Sequence, residues 1–177
     1  MLIAFTGGAR SGKSTAALKA ATSTGAPVTF IATAEAGDDE MAERIERHRA
    51  DRPATWTTIE SPIHLAQAVE QVDAGATVVI DCLSMWVSNR MLAQGAACAR
   101  SIIAEAGDLG ERLRERTGTS IVVTNEVGSG VVPATPLGRT YRDVLGSANQ
   151  AIFASANRAY LVVAGRLLEL QDPSNGA

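Results

Sequence analysis

The stretch Gly7–Ser14, GGARSGKS, decides the fold, because Gly7, Gly12, Lys13 and Ser14 fit the pattern G-x-x-x-x-G-K-[ST]. An apolar run, Leu2–Phe5 (LIAF), ends just before it, and a segment of helical character, Lys13–Ser23, follows at once. Strand, glycine-rich turn and helix in this order make a phosphate cradle. Glycines let successive backbone N–H groups turn inward, and the helix N-terminus adds the positive end of its dipole. Gly7, Gly8, Ala9, Arg10, Ser11 and Gly12 are therefore expected to wrap the phosphates of a nucleoside triphosphate. Lys13 is placed to reach the β- and γ-phosphates, and the Ser14 hydroxyl to ligate Mg²⁺.

Working outward, four more apolar runs recur: Val28–Ala32, Thr77–Cys82, Ser120–Thr124 and Tyr160–Ala164. Each is near-continuous rather than alternating, as strands buried on both faces of a parallel sheet read. Between them lie segments of helical length at Asp38–Ala50, Pro62–Val72, Ser84–Gln94, Ala99–Arg116 and Leu137–Asn157. Ser61 before Pro62 reads as an N-cap with proline in the first helical position. Asp38 and Asp39 bring negative charge to another helix start. The pattern predicts an α/β fold: a P-loop nucleotide-binding domain with a mainly parallel central sheet flanked by helices. One domain is expected over 1–170, with a frayed tail at 171–177. The punctuated segment Val127–Pro136 (VGSGVVPATP) is expected to be a mobile loop.

The composition excludes several classes. With 177 residues, 46% of them hydrophobic and 20% charged, the chain can bury a sizeable core and is neither a disordered tail nor a disulfide scaffold. Its net charge of −3 supplies no basic field for nucleic acid or an anionic membrane. Cys82 and Cys98 show no metal-ligand spacing and read as buried thiols of a reducing compartment. No apolar stretch approaches the roughly 18 residues of a membrane span. The opening MLIAFTGG has neither a basic leader nor a cleavage site, so a cytoplasmic protein is expected.

Two further positions carry chemistry. Asp81 closes the run TVVID, where P-loop proteins place the carboxylate that holds Mg²⁺; a strand-end aspartate capping the next turn is the plainer alternative. His48 lies in ERIERHRADRP, on one helical face with Met41 and Ile45. It reads either as a packed histidine at a helix end or as a nucleophile toward phosphorus. The second reading needs a neutral imidazole, which neighbouring guanidinium groups favour by like-charge repulsion, and the same arginines would hold a phosphate chain. Glu60 is either a ribose acceptor or a solvated carboxylate. His64 reads as an exposed helix residue without a role.

GGARSGKS, IATA at Ile31–Ala34, DDEMAERIERHRADRP at Asp38–Pro53, TNEVGSGVVP at Thr124–Pro133 and RTYRDVLGSANQ at Arg139–Gln150 occur in this order. Together they resemble the bifunctional adenosylcobinamide kinase / adenosylcobinamide-phosphate guanylyltransferase family of cobalamin biosynthesis, from residue 1 to about residue 166. The resemblance implies phosphorylation of the aminopropanol hydroxyl of adenosylcobinamide with ATP or GTP. It then implies transfer of GMP from GTP to that phosphate, through a GMP-histidine intermediate, giving adenosylcobinamide-GDP and pyrophosphate. His48 matches the family nucleophile, and the position before it is Arg47, which leaves one candidate nucleophile in this segment. The implied nucleotide contacts are Gly7–Ser14, Ala32, Thr33, Ala34, Arg49, Ala50, Asp51, Arg52, Glu60 and Asp81. A trimer is implied in the same way.

Two other classes are weighed against this. A P-loop kinase acting only once would need Lys13, Ser14 and Asp81 and leave His48 as packing. A GTPase-type switch is disfavoured, because Thr124–Val127 reads TNEV rather than the Asn-Lys-x-Asp guanine reader.

Overall fold

A computed structural model describes residues 1–172. Along the chain run β1 (Leu2–Thr6), α1 (Lys13–Ser23), β2 (Val28–Ala32), α2 (Asp39–Ala50), β3 (Thr57–Glu60), α3 (Leu65–Glu70) and β4 (Thr77–Asp81). There follow α4 (Leu83–Gln94), a 3₁₀ turn (Ala96–Cys98), α5 (Ala99–Glu115), β5 (Ser120–Val123), α6 (Pro136–Ala154), β6 (Arg158–Val163) and β7 (Arg166–Leu170). The strands form one sheet in the order β3-β2-β4-β5-β1-β6-β7. Every pairing is parallel except the antiparallel β6–β7 hairpin. The expected α/β architecture is thus the one observed.

The register aligns the chemistry. Ala32 pairs with Glu60 on one side and Asp81 on the other, and Val123 pairs with both Asp81 and Phe5. Ala32, Glu60, Asp81 and the residues just after Val123 therefore share the carboxyl edge of the sheet, where β1 feeds the phosphate loop. Ligands of open α/β sheets bind at this edge.

The sheet is covered on both faces, which explains the unbroken apolar runs. Leu2, Ile31, Val78, Ile80 and Val122 pack against α3–α6, while Phe5, Phe30, Val79, Ile121 and Val123 face the side of α1. Successive residues of one strand thus enter different cores. Leu145 of α6 is fully buried among the former group. Leu145→Ala is expected to cost about 2–5 kcal/mol, read as a lower denaturant midpoint at unchanged slope.

Some expectations need correction. The helix read at Pro62–Val72 spans only Leu65–Glu70, with His64 exposed at its N-cap position. Ser61 is no cap: its N–H bonds the Ala32 carbonyl, extending the β2–β3 ladder. The Pro62 and Ile63 carbonyls accept from Asn89 and Trp86 of α4, which holds this segment out of the helix. The strands β3 and β7 were not expected. Pro136, read as loop, is the first residue of α6, capped by the Thr135 hydroxyl on the Gly138 N–H at 3.1 Å. Of the tail at 171–177, residues 173–177 lie outside the described part of the chain.

Candidate active site

The phosphate loop is shaped from behind by the β6–β7 hairpin. The Gly165 N–H donates to the Ser11 carbonyl at 2.8 Å. Within one peptide plane C=O and N–H point opposite ways, so the next N–H, that of Gly12, is turned away from the hairpin. Close approach explains the glycines. A Cβ on Gly7 would stand 2.4 Å from the Val162 carbonyl oxygen, and one on Gly12, at φ 97°, 3.2 Å from Gly165 Cα. Lys13 opens α1, is 8% exposed, and its Nζ donates to the Gly8 carbonyl at 3.0 Å.

In front of the loop lies a cavity of about 550 Å³. Lys13, Ser14 and Asp81 line it, with His48 and Arg49 from α2, Arg52 from the turn just after α2, and Glu60 from β3. Ala32 and Ala34 line it as well. The structure thus brings the phosphate-loop residues and the arginine–histidine segment to one space, although 34 positions separate Ser14 from His48.

The α2 wall is held by its own arginines. The Asp38 side chain caps the helix, accepting from the Met41 N–H at 2.8 Å. Arg52 donates from Nε to the His48 carbonyl at 2.9 Å and from a terminal nitrogen to Thr58 Oγ1 at 3.1 Å. Its guanidinium lies 4.1 Å from the Phe30 ring centroid, a cation–π contact that ties the end of α2 to β2. Burial and then repulsion from Arg49 lower the Arg52 pKa, although it stays charged. Arg49 pairs with Glu60 at 2.6 Å and Glu46 at 3.0 Å. These carboxylates are exposed, so the pairs are weak and displaceable.

Other expected residues take different places. Thr33 is fully buried and off the cavity wall: its hydroxyl donates to the Cys82 carbonyl at 2.7 Å and accepts from the Cys82 N–H at 2.8 Å. Its part is to set the turn after Asp81. Ala50 and Asp51 lie at the exposed end of α2, outside the cavity lining. Gly8, Ala9 and Arg10 are exposed at the loop tip.

Sequence reading missed Phe30 and Met85 on the same wall and left Asn125, within TNEVGSGVVP, without a role. Phe30 stands mid-way along β2, Met85 in the first turn of α4 and Asn125 two residues past β5, so no shared local pattern marks them. Cys82 also lines the cavity; its thiol is pushed up to about 11 by burial and by Asp81, and so stays protonated. No group of three or more His, Cys, Asp or Glu side chains among the described residues could hold a metal alone.

A protein-family model described as cobinamide kinase / cobinamide phosphate guanyltransferase matches residues 3–170. The bifunctional adenosylcobalamin biosynthesis protein CobP of Pseudomonas aeruginosa is 43% identical over 166 residues, covering 93% of this chain and 94% of that protein. The proteins named CobU of Escherichia coli and Salmonella typhimurium are each 38% identical over 176 residues, covering 93% of this chain and 97% of theirs.

Proposed function

Because the chain belongs to the cobinamide kinase / cobinamide phosphate guanyltransferase family, we propose that it carries out both reactions on adenosylcobinamide in the one cavity described above. In the first, the aminopropanol hydroxyl takes the γ-phosphoryl group of ATP or GTP. In the second, GMP passes from GTP to the new phosphate, giving adenosylcobinamide-GDP and pyrophosphate. The supporting observation is that His48, Arg49 and Arg52 line the same cavity as Lys13, Ser14 and Asp81.

Each group has a physical task. Lys13 and the N–H groups of Gly7–Gly12 neutralise phosphate charge that would otherwise repel the accepting group. The Ser14 hydroxyl and Asp81 carboxylate are hard oxygen donors lining one cavity and would hold Mg²⁺ there. Magnesium would supply charge neutralisation at the triphosphate. His48 attacks the α-phosphorus as a neutral imidazole, forming an N–P bond as the bond from that phosphorus to the α,β-bridging oxygen breaks and pyrophosphate leaves. The cobinamide phosphate then displaces the imidazole. Splitting a reaction between two anions in this way lets a neutral nucleophile make the first attack. Arg49 and Arg52 carry the nucleotide phosphates, and Arg49 can exchange Glu60 for phosphate because that pair is solvent-exposed. Glu60, released, accepts from the ribose; Ala32 and Ala34 line the nucleotide's flank.

The protein works in the cytoplasm as a homotrimer in this reading. No helix among the described residues is long and apolar enough to cross a membrane. The exposed β7 edge offers Leu167 and Leu168 to another copy.

The segment 127–135 closes over the corrinoid. Its base is fixed by the Glu126 carboxylate, which accepts from the Gly128 and Ser129 N–H groups at 2.7 and 3.2 Å. Its tip exposes Val131 at 95% and Val132 at 58%. Amides 130–132 are expected to exchange fast in the free protein and at least about tenfold slower with nucleotide and cobinamide together. Slow exchange unchanged by ligand would remove the lid.

The test of the function is incubation with GTP labelled at the α-phosphate, followed by denaturation. The account expects protein-bound label that is lost in acid and kept in mild base, as a phosphoramidate behaves. Retention of configuration at the α-phosphorus is expected over the whole transfer, since two inversions cancel.

A further inference from the structure

We infer that Asn125 orients the accepting hydroxyl against the γ-phosphate during the kinase reaction; this rests on the proposed function above. The starting point is topology. Strand β5 lies between β1, which enters the phosphate loop, and β4, which ends in Asp81. The first residues beyond β5 therefore emerge between the phosphate cradle and the magnesium-side carboxylate. Asn125 is one of them, and it shares the cavity wall with Lys13, Ser14 and Asp81.

Its backbone is pinned at that spot. The Thr124 N–H bonds the Phe5 carbonyl at 2.9 Å and the Glu126 N–H the Gly7 carbonyl at 3.1 Å, so the segment runs alongside the loop entry. From behind, Asn149 of α6 donates to the Asn125 carbonyl at 3.0 Å and accepts from the Thr124 hydroxyl at 2.7 Å. The Asn125 side chain is anchored at one point, donating to Ser84 Oγ at 3.0 Å. Its Oδ1 and second amide hydrogen have no partner among the described residues.

A carboxamide so held can accept from a hydroxyl and donate to a phosphate oxygen at once, without adding charge beside a triphosphate. In the step, the hydroxyl oxygen bonds the γ-phosphorus as the bond to the β,γ-bridging oxygen breaks. That electron pair stays on the nucleoside diphosphate. The hydroxyl proton passes to an oxygen of the transferred phosphoryl group and then to water. Asn125 aligns the hydroxyl and takes no proton. Asn149 acts through it, as a positioning residue.

The test measures nucleotide affinity, kcat and its pH profile for cobinamide phosphorylation in the whole protein. Asn125→Ala is expected to lower kcat about 100-fold while shifting the triphosphate Kd by less than about threefold. Asn125→Asp keeps volume and shape. It should lose as much at neutral pH, where a carboxylate repels the γ-phosphate, and regain kcat as pH falls and the carboxyl protonates; the wild type should not. A kcat within about threefold of wild type in either variant at neutral pH would overturn the assignment. So would equal losses of affinity and kcat, or an Asp variant with the wild-type pH profile. A wild-type protein that fails to phosphorylate cobinamide would overturn the proposed function and this assignment with it.

Discussion

Lys13→Ala will depress both half-reactions by about 1,000-fold, each assayed with its own substrate so that failure of the first does not mask the second. The common cause is the triphosphate. In the proposed reactions four negative charges must be held against an incoming hydroxyl in one and against the His48 imidazole in the other. Lys13 is the lysine on the cavity wall, set there by the first turn of α1 and the glycine loop before it. Its side chain is buried beside the loop carbonyl of Gly8, so removal also loosens the cradle. The thermal midpoint should be compared first, because a folded variant with wild-type rates in both reactions would remove the phosphate loop from the mechanism. The two losses need not be equal. In the proposed reactions the kinase step breaks a bond at the γ-phosphorus, on the side assigned to Lys13, whereas GMP transfer breaks one at the α-phosphorus.

His48→Ala will abolish protein labelling by α-labelled GTP and exchange of labelled pyrophosphate into GTP, with both falling to background. Phosphorylation of cobinamide should survive in part, because Lys13, Ser14 and Asp81 stay in place. This asymmetry separates the covalent reading from the packing one. A histidine that merely closed the end of α2 would, when removed, lower the two activities together. The His48 carbonyl, not its ring, holds Arg52, so that hydrogen bond does not depend on the side chain that the alanine variant removes. His64 is the control. It is exposed at the start of α3 and absent from the cavity wall, so His64→Ala should leave both activities near normal.

The sequence made the frame legible for identifiable reasons. GGARSGKS between an apolar run and a helix admits few conformations, and the buried strands are unbroken because helices cover both faces of the sheet. The two missed strands are the edges. TTIE at Thr57–Glu60 is short and mostly exposed, and RLLEL at Arg166–Leu170 is exposed throughout, so neither carries the signature of a buried strand. Pro62 was misread because Ser-Pro suits a helix start locally. The competing hydrogen bonds come from α4, more than twenty residues on, and no local pattern announces them.

The site was legible by type more than by partner. Lys13, Ser14, His48 and Asp81 stand out by residue chemistry and do share a cavity. The pairing of Glu60 with Arg49, the packing of Arg52 on Phe30 and the place of Asn125 depend on which strand ends become neighbours. Thr33 shows the converse. A motif assigned it to the nucleotide, yet the fold spends its hydroxyl on the Cys82 backbone.

The most direct measurement of the central claim is to find where the guanylate sits. Wild-type protein is treated with GTP, quenched in mild base without cobinamide phosphate, digested and analysed by tandem mass spectrometry. The account predicts a GMP adduct on the peptide containing His48, attached to its imidazole and lost on brief acid treatment. Guanylate on another residue, or none on protein that transfers GMP at full rate, would contradict it.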